Sequence, residues 1–302
     1  PSCSSVLMAN REELLILRAA RAGQAQAQLA LGKRYLFGSA NLPQSQPTAL
    51  HWLEKAAEQN QQEAWWLIGE HVSFDIARQH GDPLHVALWY ERAFESGSAR
   101  AGLVLAMLVF SSWARADQTL RQKSMRALKT SAESGLADAQ WLYAQQLGMH
   151  DLLVAKEGPN LSPQQRQRRD LVLDWAAKAA RGGVTEAQMA LAEHAWLNEN
   201  FLKFTFWVLP LVQEIDKRSN SMQTRHRPHT KKELALLTRC AKALQAVADP
   251  NVKLIERYLR IGAEGGDVDA QLAYGLWIAR MDEEGNRVAC MPGVAHYKKA
   301  IR

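Results

Sequence analysis

The chain has 302 residues, of which 47% are hydrophobic and 23% are charged, a composition that excludes an intrinsically disordered protein. Its three cysteines, Cys3, Cys240 and Cys290, lack CxxC spacing, so neither a disulfide framework nor a zinc site is indicated. The longest apolar run, Ala101–Phe110, is shorter than the roughly 20 residues that a membrane-spanning helix needs.

The net charge of +6 is concentrated in one short stretch, here called the basic segment. It runs from Lys217 to Lys232, contains no acid, and its bases equal the net charge of the whole chain. These bases are Lys217, Arg218, Arg225, Arg227, Lys231 and Lys232. Two interpretations stay open: the segment contacts an acidic protein face, lipid headgroups or nucleic acid, or it is a solvated loop.

The first residues, Ser2–Ser5, would suit the processed end of a bacterial lipoprotein, with Cys3 as the lipidation site. The alternative is an expression remnant ahead of Met8.

A spaced pattern then recurs six times along the chain. It consists of a small residue, Gly three positions later, Ala four after that, a large apolar residue two further on, and Gly or Ala three beyond. Its anchors, Gly23, Asn60, Gly97, Gly135, Gly183 and Gly266, are separated by 37, 37, 38, 48 and 83 residues. Such periods are typical of helical-hairpin repeats, and the last step predicts one degenerate repeat between Gly183 and Gly266.

Each position of the pattern has a physical role in a helical hairpin. Gly or Asn suits the residue after a helix, where the chain turns into the left-handed region. Small residues four and nine positions past the anchor let two helix backbones approach closely. The large apolar residues six past the anchor are expected to fill the core. They are Leu29, Trp66, Leu103, Trp141, Met189 and Leu272.

Helix starts are marked by capping residues. Three pairs combine a capping side chain with a proline at the first helical position: Asp82-Pro83, Ser162-Pro163 and Asp249-Pro250. A capping box is predicted at Thr230–Glu233. The step of 48 residues is explained by a longer loop near His150–Ser162.

Residues 199–249 form the irregular unit of the array. We predict an apolar helix over Phe201–Asp216 that contains Pro210, a basic loop over Arg218–His229 and a helix over Thr230–Val247. Regular repeats are expected at 11–198 and 250–302, all within a single domain of residues 1–302. Four tryptophans are less constrained by the pattern than the others: Trp113, Trp196, Trp207 and Trp277. Those that face the concave groove are candidate anchors for a partner, and we predict Trp207 and Trp277 for that role.

The pattern resembles the Sel1-like repeat, a tetratricopeptide-related α/α hairpin. The first copy follows that motif most fully, through Ala19-Ala20, Gly23, Ala27, Leu31-Gly32, Tyr35 and Gly38. We predict that the chain folds as an all-α, right-handed superhelical solenoid of about seven helix-turn-helix repeats, with a concave groove that binds a protein or peptide. The resemblance implies a scaffold or adaptor of bacterial type, in envelope assembly, secretion or toxin neutralisation, and favours the periplasm or cell envelope over the cytoplasm.

No catalytic motif of the GxSxG, HExxH, P-loop or GxGxxG type is found in a suitable setting. His71 and Asp75 supply only two of the three or four ligands that zinc needs, and Cys240 is expected to be a small hydrophobe. We therefore predict no enzyme activity, no metal and no cofactor. The first hypothesis is an interaction scaffold for a partner with an acidic surface; the alternative is a nucleic-acid or anionic-surface binder that uses the basic segment.

Overall fold

The computed structural model describes residues 3–39, 42–154, 156–158, 161–220, 229–248 and 250–279. Within these ranges every regular element is a helix, and none of those helices is long and apolar enough to span a membrane. The chain divides into two compact units, Pro1–Tyr143 and Ala144–Arg302. Each unit has a hydrophobic core of its own.

Sixteen helices lie in the described ranges: α1 Cys3–Arg21, α2 Ala25–Phe37, α3 Gln46–Glu58, α4 Gln62–His71, α5 Phe74–Gln79, α6 Pro83–Glu95, α7 Ala99–Ser111, α8 Gln118–Glu133, α9 Ala137–Gln146, α10 Met149–Val154, α11 Pro163–Arg181, α12 Thr185–Leu197, α13 Phe201–Asn220, α14 Lys231–Gln245, α15 Val252–Glu264 and α16 Val268–Ala279. Seven hairpins follow from this order: α1/α2, α3/α4, α6/α7, α8/α9, α11/α12, α13/α14 and α15/α16. The short helices α5 and α10 lie between hairpins. The prediction of an all-α array of about seven hairpins is confirmed.

All six anchors adopt the left-handed backbone that the pattern predicts. Their φ angles are 90° at Gly23, 61° at Asn60, 106° at Gly97, 96° at Gly135, 95° at Gly183 and 91° at Gly266. At each corner the chain closes the preceding helix with backbone hydrogen bonds; for example, the Gly97 N–H donates to Phe94 and the Ser98 N–H donates to Ala93. The anchors therefore set the hairpin corners.

The small residues bring helix backbones together, as predicted. Five of the six alanines four past the anchor are buried, and Ala27 is half-buried. A methyl group on Gly32 would lie 2.7 Å from the Leu53 side chain. A methyl group on Gly69 would overlap the Cβ of Ala93. These crossings have no space for a larger side chain.

The prediction that the residues six past the anchor fill the core is wrong at two positions. Leu29 and Leu103 are buried, but Trp66 is 38% exposed and Leu272 is 41% exposed. Successive helical residues are rotated by about 100°, so only part of the helix surface faces the core. In α16 that part includes Ala270 and Gln271, and it leaves Leu272 on the outer side.

A buried glutamine ties several corners together, and the sequence analysis missed it. Gln28, Gln140 and Gln271 follow directly after the repeat alanine. Each donates its Nε2 to a backbone carbonyl eight residues earlier, at 3.2 Å to Ala20, 3.1 Å to Ala132 and 3.3 Å to Ala263. The sequence signal was the recurrent Ala-Gln pair. This pair alone does not indicate a side-chain hydrogen bond, because the acceptor carbonyl lies across the hairpin corner.

Most predicted caps are confirmed. Asp82 caps α6, and Ser162 and Thr230 each form a capping box. The predicted start at Asp249-Pro250 is wrong: Asn251 caps α15, which begins at Val252, and Asp249 lies outside the described residues.

Two predicted loops are shorter than expected. α13 continues to Asn220, so Arg218 is helical and does not start the loop. Basic residues in the last turn favour this extension, because the helix carboxyl end carries partial negative charge. The predicted long loop after His150 also contains helix, since α10 reaches Val154.

Candidate functional site

A cleft of about 460 Å³ opens in the second unit between α11, α12 and the amino-terminal half of α13. We call it the α11–α13 cleft. Its apolar lining comes from Leu173, Ala177, Leu191, Ala195, Phe206 and Trp207, and its polar lining from Glu157, Arg169, Asp170, His194, Asn198, Asn200 and Lys203. Along each helix these residues recur at spacings of three or four, so each helix presents one face to the cleft.

The insertion loop (residues 155–162, of which 156–158, 161 and 162 are described) forms one edge of the cleft. The Glu157 carboxylate accepts hydrogen bonds from His194 Nε2 at 2.7 Å and from Arg169 Nη1 at 2.8 Å. The backbone N–H of Glu157 donates to Asn198 Oδ1 at 3.0 Å. These bonds fix the described part of the loop against α11 and the end of α12.

The charge on Glu157 is stabilised by its partners. Burial alone would raise the pKa of its carboxyl group, but the hydrogen bonds from His194 and Arg169 outweigh burial and hold the pKa below its ordinary value. Arg169 also contacts Asp170 at 2.8 Å. Glu157, His194, Arg169 and Asp170 therefore form a linked network, in which the two acids share the single positive charge of Arg169.

The corner between α12 and α13 sets the polar end of the cleft. Glu199 lies there with φ of 56°, a left-handed backbone that costs a residue with a Cβ about 1 kcal/mol. Its N–H donates to Trp196 at 3.0 Å and the Asn200 N–H donates to Ala195 at 2.8 Å, the same closure as at the glycine corners. The sequence analysis missed this corner because Glu does not mark a left-handed turn. It orients α13 so that Asn200 and Lys203 line the cleft.

The first turns of α13 expose large apolar side chains. Leu202 is 72% exposed and Phe206 is 66% exposed, whereas Phe204 and Val208 on the opposite side belong to the core. Trp207 is half-buried and meets Phe206 edge to face, with ring centroids 4.9 Å apart. Apolar side chains this exposed on neighbouring turns are typical of a contact surface.

Of the predicted site residues, the structure places Trp207 in the cleft and Trp277 elsewhere. Trp277, on α16, packs against the core of the second unit. The carbonyl of Trp207 accepts a hydrogen bond from Gln188 Nε2 at 2.7 Å, close to Pro210, which lacks the N–H of a regular helical residue. Gln188 thus positions the part of α13 that carries Trp207.

The basic segment is divided between two helix ends. Lys217 and Arg218 lie in the last turn of α13, and Lys231 and Lys232 are exposed in the first turn of α14. Arg225 and Arg227 lie outside the described residues.

Two bases of the basic segment already form ion pairs within the chain, the closer one at Arg218. Arg218 Nη2 lies 2.6 Å from Glu233 Oε1, while Lys217 Nζ lies 3.6 Å from Glu214. A backbone hydrogen bond from Thr230 and the contact with Arg218 together lower the pKa of Glu233 below its ordinary value. Arg218 therefore stabilises the link between α13 and α14.

A second polar cluster lies in the first unit. His80 Nε2 and Glu54 Oε2 are 2.7 Å apart, and the Glu54 side chain is largely buried. Desolvation raises the pKa of Glu54 above its ordinary value, although the contact with His80 opposes this shift. The pair joins α3 to the end of α5.

Neither metal ligation nor thiol chemistry is supported in the described residues. No group of three or more His, Cys, Asp or Glu side chains there could hold a metal ion. The exposed His71 contacts the ring of Phe37, with centroids 5.0 Å apart. Burial raises the pKa of the Cys240 thiol to about 12, which keeps it protonated at neutral pH.

Seven hairpins, six of them with a described left-handed corner, and close crossings at small residues make this chain an α/α-hairpin repeat protein. No protein-family model matches it, and no curated protein matches it. Among solved structures, it is similar to a Sel1 repeat protein from Oxalobacter formigenes, with 21% identity and a TM-score of 0.48 over 97% of this chain and 76% of that one. It is also similar to a protective antigen present in uropathogenic Escherichia coli strains that displays an SLR fold, with 17% identity and a TM-score of 0.44.

This second match covers 96% of the chain but only 64% of the antigen, so the chain spans less than two thirds of that protein. The likeness to Sel1-like repeats that the sequence indicates is confirmed in the hairpins themselves, since the anchors, small residues and helix pairs lie where the motif requires them.

Proposed function

We propose that this protein is a non-enzymatic scaffold or adaptor that binds a segment of a partner protein in the α11–α13 cleft. One observation carries the proposal: Leu202 and Phe206 are exposed beside a cleft of about 460 Å³. Protein interfaces commonly centre on aromatic side chains with polar groups at the rim. The cleft combines such an aromatic wall with a polar end.

The charged network of the cleft supports a structural role for its acid and base groups. Glu157 accepts from both His194 and Arg169, and these bonds hold the insertion loop in place. A general base needs a carboxylate or imidazole directed at a substrate proton. Here both carboxylate oxygens of Glu157 are occupied, Oε1 by His194 and Oε2 by Arg169.

The alternative is binding of nucleic acid or another anionic surface through the basic segment. The exposed Lys217, Lys231 and Lys232 favour it, while the pairing of Arg218 with Glu233 weakens it. Such binding would depend steeply on salt. Fluorescently labelled oligonucleotides titrated at low and at physiological ionic strength test this alternative; no binding at low salt would exclude it for nucleic acid.

The scaffold function is tested by peptide selection. A library of random peptides displayed on phage is selected on the immobilised wild-type chain, and enriched peptides are then measured against Phe206→Ser. The control is Phe37→Ser, the same change at a 57% exposed phenylalanine of the first unit. We expect enriched peptides to lose affinity for Phe206→Ser and to keep it for Phe37→Ser. Enriched peptides that bind both variants equally would refute the site.

The broader role of the protein follows the same proposal. A scaffold that binds a peptide segment would suit envelope assembly, secretion or toxin neutralisation, and a location in the periplasm or cell envelope is proposed with it. The concave groove predicted from the repeat pattern stays a prediction.

A further inference from the structure

Most charged groups of the α11–α13 cleft are already satisfied within the chain. Glu157 is bonded to His194 and Arg169, and Arg169 is bonded to Asp170. The amide of Asn198 accepts from Glu157 and donates to the carbonyl of His194 at 2.9 Å. A ligand would have to break these bonds in order to use the same groups, so they form a wall and not a recognition surface.

Two polar groups at the other end of the cleft are left for a ligand. Lys203 and the amide nitrogen of Asn200 make no side-chain hydrogen bond or ion pair with any of the described residues, and both side chains are exposed. The amide oxygen of Asn200 is used, since it accepts from the Lys203 backbone N–H at 3.1 Å. Both remaining groups can only donate. The matching group of the ligand must therefore accept hydrogen bonds. A carboxylate is the best partner for the Lys203 ammonium, because the hydrogen bond is then charge-assisted.

The spacing along α13 sets the distance between the acceptor and the apolar part of the ligand. Lys203 and Trp207 are four residues apart, which corresponds to a rise of about 6 Å along the helix. Alternate side chains of an extended peptide point to the same side and lie about 6.6 Å apart. A peptide that lies along α13 can therefore place an acidic side chain at Lys203 and an aromatic side chain at Trp207 when the two are separated by one residue.

The neighbouring acids favour a single carboxylate over a polyanion. Asp170 lines the same cleft with its side chain 65% exposed, and Glu157 lies in its wall. A chain of phosphates would be repelled by these acids over several ångströms. One carboxylate can contact Lys203 alone.

We propose that the cleft recognises an extended three-residue peptide segment in which an aromatic side chain and an acidic side chain are separated by one residue. The acid contacts Lys203 and Asn200, and the aromatic ring packs on Phe206 and Trp207. This inference rests on the proposed function and adds the chemistry of the partner. The partner is a protein segment with its own acidic side chain.

The test uses three labelled peptides with blocked ends, so that each carries at most one carboxylate. The first is Gly-Trp-Ala-Glu-Gly-amide with an uncharged fluorophore blocking its amino end; the second has Gln in place of Glu, and the third has the order Trp-Glu-Ala. Fluorescence anisotropy is measured with the full chain. We expect the first peptide to bind roughly tenfold tighter than the other two, because only it can make the charge-assisted contact in register.

Two variants assign this preference to the cleft. Lys203→Met should reduce the preference for the Glu peptide over the Gln peptide to less than twofold, while Phe206→Ser should weaken both peptides to a similar extent. Lys253→Met, at an exposed lysine of α15, is the matched control and should leave the preference unchanged.

Equal binding of the Glu and Gln peptides would overturn the inference, as would an unchanged preference in Lys203→Met or no binding of any of the three peptides at millimolar concentration. The phage-displayed peptide library described above distinguishes a failure of this inference from a failure of the proposed function. If selected peptides lose affinity for Phe206→Ser and yet lack an aromatic and an acidic residue separated by one residue, the inference fails and the proposed scaffold site is retained. If no selected peptide needs Phe206, both fail.

Discussion

Gly69 lies in the last turn of α4 at a crossing with α6 and α7, and it offers a direct test of how the hairpins pack. A methyl group at this position would overlap the Cβ of Ala93 and lie 3.0 Å from the Cβ of Ala101. Carbon atoms in contact are ordinarily about 3.5–4.0 Å apart. Both neighbours belong to rigid helices, so Gly69→Ala forces the helices to separate.

The cost of this change can be divided into two opposing parts. Overpacking a tight core costs about 1–3 kcal/mol. Ala in place of Gly inside a helix gains about 1 kcal/mol of helix propensity. We therefore expect Gly69→Ala to lower the free energy of unfolding by about 1 kcal/mol. If helix propensity alone mattered, the variant would be more stable than wild type.

Gly69→Ala is combined with Ala93→Gly in a double-mutant cycle. Ala93→Gly removes the methyl group that Gly69→Ala would contact. Ala93→Gly by itself should cost about 1–2 kcal/mol, from propensity and a lost buried methyl group. In the double variant the propensity changes cancel, and the nearest remaining atom of residue 93 is its Cα at 3.9 Å. The contact with the Ala101 Cβ at 3.0 Å remains, so we expect the double variant to lose up to about 1 kcal/mol, whereas the two separate losses add to about 2–3 kcal/mol.

Urea unfolding followed by far-ultraviolet circular dichroism measures all three variants, with an unchanged m value as the check that the same surface unfolds. Additive losses in the double variant would refute the assigned contact, because independent sites add. A stabilised Gly69→Ala would refute the close crossing itself.

Three further changes test the insertion loop, the glutamine bond and the corners. The pKa of Glu157 is below its ordinary 4.5 in the folded chain, so its contribution to stability is present above pH 4.5 and is lost as the pH falls through the folded value. Glu157→Gln should cost about 1–2 kcal/mol at neutral pH and progressively less as the pH falls below 4.5, and a pH-independent cost would contradict this. Gln271→Ala should cost about 1 kcal/mol in urea unfolding because it leaves the Ala263 carbonyl without its side-chain donor; a cost near zero would show that water replaces it. Gly183→Ala should cost about 1–2 kcal/mol at a φ of 95°, and Gly183→Asn clearly less, whereas equal losses would argue against backbone strain.

The hairpin fold could be predicted from the sequence because its signals are local. A Gly or Asn at a corner determines the backbone angles at that position alone, and the repeat alanine follows four residues later. All six corners have the predicted left-handed backbone. The capping boxes at Ser162 and Thr230 were predictable for the same reason.

The cleft was only partly predictable. Trp207 was singled out as a candidate anchor and does line the cleft, but Lys203 and Asn200 carried no motif. Lys203 lies outside the basic segment, from which all the basic residues of the predicted site were taken. Its availability depends on which neighbouring acids are already paired, and residues such as Glu157 and His194 are 37 positions apart in the sequence.

The sequence by itself determined that the chain forms helical hairpins and where most of them turn, because corner backbone angles and helix propensity depend on neighbouring residues. The tertiary structure alone decided which faces are buried, and it left Leu272 exposed where the pattern predicted core. It also decided that Glu199 turns the chain at the cleft and that Arg218 is held by Glu233. These outcomes depend on contacts between residues that are distant in the sequence. The repeat pattern reports only local spacing, so the strength of such contacts cannot be predicted from it.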